Sequence, residues 1–382
     1  MIKLHQFTEA ESASREALKL SPDNTESLKI LALSLASQGR YGEAIPIYRR
    51  SVELTPDDDE TRFNYGNSLL VTEDFSAGWI EYDYGLRPGC RGELGLPDIP
   101  AWAGQPLHGR RVYVYGEQGI GEQIMYATMI EDLINDGASV FYGCDKRLVP
   151  IFARSMNSDN FTAFGDVPDL AFTARDIDYR IAVGSLGRFY RRSVEDFKPR
   201  KSFLLPDPEL VERYTEKYDK LGHGVKIGIS WKTSSPHQSV ARNFPFALWN
   251  PIFDIPGCRF ISLQYGDVEE DCARIKNDLG VDIFVDPEVS ALDSLEQSMA
   301  QACAVDLVLS ISNATVDLAA ACGVDVWMML GKAPHWHWFD QRNDSLWYET
   351  VRVFRQKELG NWADVIDTAA EELPSFIDAI PR

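Results

Sequence analysis

Hydrophobic and polar residues follow two different patterns along the chain, and the change of pattern divides it into two regions. The first ninety residues carry the spacing of apolar positions that is typical of amphipathic helices. From Arg111 onward, short apolar and β-branched runs alternate with helical stretches. We therefore expect an all-α region that is followed by an α/β region.

The helical region repeats itself. The segments SPDN and TPDD place Pro22 and Pro56 34 residues apart, which is the tetratricopeptide period. The small, aromatic and proline positions agree with this register, and the first repeat lacks most of its first helix, as in a degenerate cap or a chain cut from a longer one. The matching positions are Ala10, Ala17, Leu28, Leu31, Gly39, Ala44, Tyr48, Gly66, Phe75 and Tyr82.

The α/β region predicts two parallel sheets, since strands and helices alternate along it. A linker rich in glycine and proline (residues 87–109) leads into it. The resulting domains are residues 1–89, 90–206 and 207–382, and we expect the last helix to pack back on the second of them. Strands are expected at 111–115, 140–142, 179–183, 225–230, 259–263, 282–285, 306–311 and 326–330.

Composition and charge narrow the classes of partner. The net charge of −20 repels nucleic-acid phosphates, so we expect no nucleic-acid partner. The chain lacks an apolar run of the roughly 18 residues that span a bilayer and begins without a signal peptide, so we expect no membrane span and a cytoplasmic location. The six scattered cysteines predict neither a zinc site nor a disulfide framework.

A glycine-rich turn follows the first predicted strand and opens a helix. It contains Gln118, Gly119, Gly121 and Glu122. Glycines allow close approach of the backbone to a ligand, and a helix N-terminus offers unpaired amides. The spacing fails as a dinucleotide fingerprint, which argues against a nicotinamide dehydrogenase. Glu122 is either a general base at the edge of a cleft or a carboxylate that complements the helix dipole.

Two further strands end in polar residues. The strand at 225–230 continues into Lys232, Thr233 and two serines, with Arg242 downstream, and this combination suits a phosphate. The strand at 306–311 continues into four residues that cap a helix of small residues, namely Ser312, Asn313, Ala314 and Thr315. That is how a helix N-terminus is presented to a diphosphate.

Asp317 on the same helix either accepts hydrogen bonds from a ribose or faces solvent. Three weaker features have structural interpretations: the Asp176–Asp178 pair predicts a turn, the His335–His337 pair lacks a third metal ligand nearby in sequence, and the aromatic residues around Trp336 predict packing at a lobe junction.

Taken together, these segments resemble the heptosyltransferase-type glycosyltransferases in the branch that is fused to tetratricopeptide repeats, which is distantly similar to O-GlcNAc transferase. The blocks that carry the resemblance are residues 102–104, 107–109, 117–122, 228–231, 262–264, 306–310, 318–323, 347–348 and 354–356. The resemblance implies a GT-B architecture, which has two Rossmann-like lobes preceded here by the repeats. It also implies an activity without a metal or other cofactor, and a nucleotide diphospho-sugar as the donor substrate.

The resemblance also assigns roles to residues. It implies that Glu122 deprotonates the acceptor hydroxyl, that Gln264 lies near the nucleotide base, and that Lys232 and Arg242 face the donor phosphates. Residues 312–315 would meet the diphosphate at the helix N-terminus.

This chain departs from the family at several motif positions. Ser312-Asn313 replaces the more common Asp-Thr, and Glu122 replaces an aspartate. These departures leave two hypotheses open: an active glycosyltransferase whose repeats engage a protein or peptide acceptor, or a repeat scaffold that binds a nucleotide or a protein partner without catalysis.

Overall fold

The computed structural model describes residues 4–87, 90–92, 99–158, 160–163, 176–233 and 246–380. Within those ranges, none of the helices combines the length and the apolarity that a membrane crossing requires.

Residues 4–82 form antiparallel helical pairs, and the prolines at the repeat boundaries fall between helices. Asn24, Asp58 and Asp74 cap the helices that follow them, because each side chain accepts a hydrogen bond from a backbone amide of the first turn. Helix α1 corresponds to the second helix of a repeat and packs on α2. The helices are α1 (Leu4–Leu20), α2 (Thr25–Ala36), α3 (Tyr41–Leu54), α4 (Asp59–Val71) and α5 (Phe75–Tyr82).

The next lobe contains a parallel four-stranded sheet in the order β3-β2-β1-β4. Its first strand is buried along almost its whole length, as expected for a strand that is covered on both faces. Its elements are β1 (Arg111–Tyr115), α6 (Ile120–Ala127), α7 (Ile130–Asn135), β2 (Ser139–Cys144), α8 (Val149–Met156), β3 (Phe161–Ala163), β4 (Tyr179–Ala182) and α9 (Gly187–Tyr190).

The last lobe contains a parallel six-stranded sheet in the order β10-β9-β8-β5-β6-β7. This is the doubly wound order, with its reversal between β5 and β8. Its elements are α10 (Pro208–Asp219), β5 (Val225–Ser230), α11 (Asn250–Phe253), β6 (Cys258–Ser262), α12 (Glu269–Leu279), β7 (Ile283–Phe284), α13 (Leu295–Cys303), β8 (Leu307–Ile311), α14 (Ala314–Ala321), β9 (Val326–Leu330), β10 (Val351–Arg355) and α15 (Ala363–Ala379).

The predicted strands are present with boundaries within two residues of those expected. Two strands were not predicted: β3, which is three residues long, and β10 at the sheet edge. The expected position of the last helix is wrong. Helix α15 packs on β9, β10 and α11 of its own lobe, because Val365, Ile366 and Leu373 complete the core on that face of the sheet.

The repeats share a core with both lobes. Trp79 of α5 is buried, its Nε1 donates to the carbonyl of Arg191 at 2.6 Å, and its ring meets that of Trp336 edge-on with centroids 5.0 Å apart. A Cβ on Gly187 would overlap the Trp79 ring, so only glycine allows this approach. As predicted, Trp336 packs at the lobe junction.

The Trp79→Ala variant should therefore lose about 3–5 kcal/mol of unfolding free energy, because it leaves a cavity and an unpaired carbonyl at this junction. Trp79→Phe, which keeps an aromatic ring, should lose less. Urea unfolding, followed by fluorescence and circular dichroism, measures both. A loss below about 1 kcal/mol in the alanine variant would contradict a shared core.

Candidate functional site

One wall of the site lies at the point where the strand order of the C-terminal sheet reverses. Strands β5 and β8 are neighbours there, and the segments that follow them, beginning at Trp231 and Ser312, leave the sheet at the same edge. Ligands of doubly wound folds bind in the crevice at such a point.

Asn313 connects these two segments. Its Oδ1 accepts from the amide of Thr315 at 3.0 Å and so caps helix α14, while its Nδ2 donates to Ser230 Oγ at 2.8 Å. The side chain thus fixes where α14 begins relative to the end of β5. The positive end of this helix and its first amides face the crevice, which favours an anion.

The glycine-rich turn after β1 forms the opposite wall. Gln118 adopts a positive φ of 59°, which is uncommon for a residue other than glycine, and its Nε2 donates to the hydroxyl of Tyr82 in the last repeat helix at 3.1 Å. Glu117 is buried, forms an ion pair with the fully buried Arg91, and accepts from the amide of Gly184 at 3.0 Å. These contacts hold the turn from both sides.

Glu122 lies in the first turn of α6 with 19% of its side chain exposed. Its Oε1 is 3.7 Å from Nδ1 of His335, which comes from the C-terminal lobe. The carboxylate is therefore accessible, sits near a helix N-terminus, and faces a group that can carry a positive charge. Accessibility from the cleft is what allows a carboxylate to take a proton from a bound group as a general base.

The two walls meet at Gly121 and Asp317. A Cβ on Gly121 would overlap Oδ2 of Asp317 and would lie 3.6 Å from Cα of Ala314, so α6 and α14 touch across the cleft. The small residues of α14 and the glycine of α6 allow this approach. The prediction that these two segments face each other is therefore confirmed.

Three cavities lie side by side along the cleft. One of about 160 Å³ is lined by Gly119, Glu122, Asn313, Asp317 and His337, among others. The next, of about 350 Å³, is bordered by leucines and by Thr315, and a third of about 250 Å³ extends along the loop after β6. The second is within the range of ligand-binding pockets, which is about 300–1,000 Å³.

Gln264 and Asp317, which were predicted to contact the donor, form hydrogen bonds within the protein. The Oε1 of Gln264 accepts from the amides of Trp231 and Lys232, each at 2.9 Å, so this side chain fixes the end of β5. Asp317 Oδ1 accepts from the hydroxyl of the buried Tyr348 at 3.0 Å. Burial and this carboxylate raise the pKa of Tyr348 well above its usual value, so the hydroxyl stays a donor.

Lys232 turns toward its own lobe. Its Nζ is 2.6 Å from Oδ2 of Asp271 and donates to the carbonyl of Asp267 at 2.8 Å. Burial acts to raise the pKa of Asp271, but hydrogen bonds from Lys232 and Trp231 outweigh it and lower the pKa. Arg242, which was predicted to face phosphates, lies outside the described residues.

The weaker sequence features are structural where they are described. Asp178 accepts from the amide of Arg111 at 2.8 Å and from Arg110 at 2.8 Å, so it closes the start of β1 instead of binding a ligand. In the described part of the chain, no three histidine, cysteine or acidic side chains lie close enough to hold a metal ion.

Sequence reasoning missed two arginines that span the lobes. Arg154 of α8 forms a bidentate pair with Glu296 of α13, at 2.8 and 2.7 Å. Arg147, which borders the cleft, donates to the carbonyl of Ala291 at 3.2 Å. The sequence around these arginines does not indicate their contacts, because their partners lie more than a hundred positions away.

Comparison with known proteins agrees with this architecture. Residues 2–59 match the tetratricopeptide repeat family. The crystal structure of a glycosyl transferase family 9 protein from Veillonella parvula covers 72% of this chain and 98% of its own length, with a TM-score of 0.51 and 10% identity. The fold is GT-B. The resemblance inferred from the sequence is therefore confirmed for the fold and for the order of the regions, in which tetratricopeptide repeats precede the GT-B lobes.

Two other proteins are similar along almost the whole chain. Protein FlbA of Caulobacter vibrioides is 31% identical over 381 residues, which is 94% of this chain, and the chain spans 63% of the length of FlbA. A mutant O-GlcNAc transferase from Thermobaculum terrenum covers 98% of the chain, and the chain covers 88% of it, at 17% identity and a TM-score of 0.33.

The close contact between the GT-B lobes makes a steric prediction. Gly121→Ala should lower the unfolding free energy by about 1–3 kcal/mol, because the new methyl group forces α6 away from Asp317. Gly42 is a matched control: it is also the second residue of a helix, and a Cβ there meets nothing within 4 Å. Gly42→Ala should be neutral or stabilising. Equal thermal stability of the two variants would argue against the contact.

Proposed function

We propose that this chain is a glycosyltransferase that moves a sugar from a nucleotide diphospho-sugar to an acceptor hydroxyl in the cleft between the lobes. The observation that carries the proposal is the shared cavity, which has the carboxylate of Glu122 on one wall and the capped start of α14 on the other. The GT-B fold supports it, as does the structural similarity to the glycosyl transferase family 9 protein from Veillonella parvula.

The proposed reaction is a single displacement. The acceptor oxygen attacks the anomeric carbon while Glu122 takes the hydroxyl proton. The bond between that carbon and the phosphate oxygen breaks, and the nucleoside diphosphate leaves with the electron pair. General-base assistance of this kind contributes about 10²–10⁴-fold in rate.

Charge on the leaving diphosphate would be met by the start of α14. The backbone amide of Ala314, the side chain of Ser312, and the positive end of the helix supply preorganised stabilisation. Because these groups belong to the protein, the proposal includes no requirement for a metal ion.

Lys232 would have to leave Asp271 to reach the diphosphate. The pair is partly exposed, with 35% and 20% of the two side chains accessible. Partly exposed pairs of this kind contribute only about 1 kcal/mol or less, so a diphosphate could compete for the lysine.

The repeats would bring a protein or peptide acceptor to the cleft. Tyr82 of the last repeat helix contacts Gln118 in the turn that precedes Glu122. An acceptor held on the repeats would therefore be near the turn that carries the proposed base.

A second function, nucleotide binding without turnover, is favoured by a different observation. Helix α6 touches α14 where the sugar of the donor would lie. In that case the lobes would act as a binding scaffold.

The transferase proposal predicts that Glu122→Gln lowers kcat by about 100-fold or more while the KM for the donor changes little, because the amide cannot accept the proton. Glu131→Gln, at an exposed carboxylate of the neighbouring helix, serves as the matched control and should retain full activity. The measurement is release of nucleoside diphosphate from a panel of nucleotide sugars, with and without EDTA. Full turnover by Glu122→Gln would remove the role assigned to Glu122, and inhibition by EDTA would remove metal independence.

Calorimetry with UDP, GDP and ADP separates the two functions. The transferase predicts binding together with turnover, and the scaffold predicts binding without it. The Asn313→Ala variant should weaken nucleotide binding in both cases, since it loses the cap of α14. Failure of all three nucleotides to bind would count against both.

A further inference from the structure

A fourth cavity lies away from the cleft and is larger than each of the three cleft cavities, at about 430 Å³. It opens between the end of β10, the segment from Asp340 to Asn343, the residue Lys332 after β9, and helix α15. It shares no lining residue with the cleft cavities. The proposed transfer reaction makes no use of it.

Arg355 lines this cavity and is incompletely paired. Its Nη2 donates to the carbonyls of Trp338 and Arg342, each at 2.9 Å, whereas its buried Nε and Nη1 have no hydrogen-bond partner among the residues that the structure describes. Burial lowers the pKa of this guanidinium. An unpaired donor on a buried charge is costly, so a partner from outside the chain would be favourable here.

Two neighbouring residues also have a buried polar atom without a hydrogen-bond partner in the described part of the chain. Gln356 is 2% exposed; its Oε1 accepts from the amide of Lys332 at 3.2 Å, but its Nε2 has no partner among the described residues. Within the same part of the chain, Oδ1 of Asp364 is buried without a donor. Three donor atoms and one acceptor atom of residues that line the cavity are thus buried in its walls without partners.

The charges around the cavity favour an anion. Arg352 is neutralised by its ion pair with Glu372. In the part of the chain that the structure describes, Lys332 and Lys357 form no ion pair, and with Arg355 they outnumber the remaining acids, Asp340 and Asp364. This is a local positive surplus in a chain whose net charge is −20.

We propose that this cavity is a second ligand site, which binds a small oxyanion, either a carboxylate or a phosphate. To bind it, the side chains of Arg355 and Gln356 turn into the cavity, so that the planar guanidinium and the amide donate to its oxygens, as arginine does in bidentate recognition of such groups. Lys332 and Lys357 supply the balancing charge. A hydroxyl or ammonium group on the same ligand would satisfy Asp364.

The site lies next to the contact between the repeats and the C-terminal lobe, so we expect binding to affect that contact. The amide of Asp340 donates to the carbonyl of Val71 at 2.9 Å, and a Cβ on Gly39 would lie 2.8 Å from the carbonyl oxygen of Lys332. An anion that orders Lys332 and the segment after Asp340 would therefore stabilise the contact between the repeats and the C-terminal lobe. Hydrogen exchange at the Asp340 amide should slow when the site is filled.

Calorimetric titration of the whole chain with inorganic phosphate and, separately, succinate tests the proposal at low ionic strength. Arg355→Met should weaken binding about tenfold or more, since it removes a charged donor. Because Arg355 also supports two carbonyls, a second variant that combines Lys332→Gln with Lys357→Gln should weaken binding similarly without a large hole in the core. Arg274→Gln, at an exposed arginine of α12, is the control and should bind as the parent does.

Binding of either anion that is weakened by the cavity variants supports the proposal, and the anion that binds identifies the source of the oxyanion. The proposal is overturned if neither anion binds at about 10 mM, or if the cavity variants bind as tightly as the parent chain. It is also overturned if only Asn313→Ala loses binding, because the anion then lies at the start of α14 in the cleft.

Discussion

The contact between helices α6 and α14 is the constraint on which the arrangement of the site depends. Two helix N-termini from different lobes can approach each other only if one side carries no side chain at the crossing, and Gly121 meets that condition against Asp317. The alanines of α14 allow the helix to lie close to its own sheet. Glu122 on one helix and Asn313 before the other thereby come to line the same cavity.

Much of the fold could be predicted from local patterns. Buried parallel strands such as Val326–Leu330 are continuous apolar runs, and the repeats are recognisable by their fixed period. Strand Val351–Arg355 was missed because it lies at the sheet edge, where Arg352 points to solvent and interrupts the apolar run. The packing of the last helix was misjudged because amphipathicity shows that a face is buried but not which core buries it.

The site was predicted less completely, for a physical reason. Glu122, Asn313 and Gly119 could be placed because each lies in the segment that connects a strand to the next helix or in the first turn of that helix, and parallel strands end at the same edge. The contacts of Lys232, Gln264 and Asp317 could not, since their partners are tens of residues away: Lys232 pairs with Asp271, and Asp317 with Tyr348. Whether a polar side chain faces a ligand or its own protein is decided by such distant partners, which spacing along the chain does not reveal.

The burial of Trp79 against Trp336 also limits how this architecture can diversify. A repeat array joined by a loose linker could be transferred between proteins as an independent unit and would keep its recognition properties. Here the junction residues of the array are part of the hydrophobic interior that the two lobes share. New recognition would thus have to arise by changes on the outer helices of the array, while its last pair of helices evolves in step with the lobes.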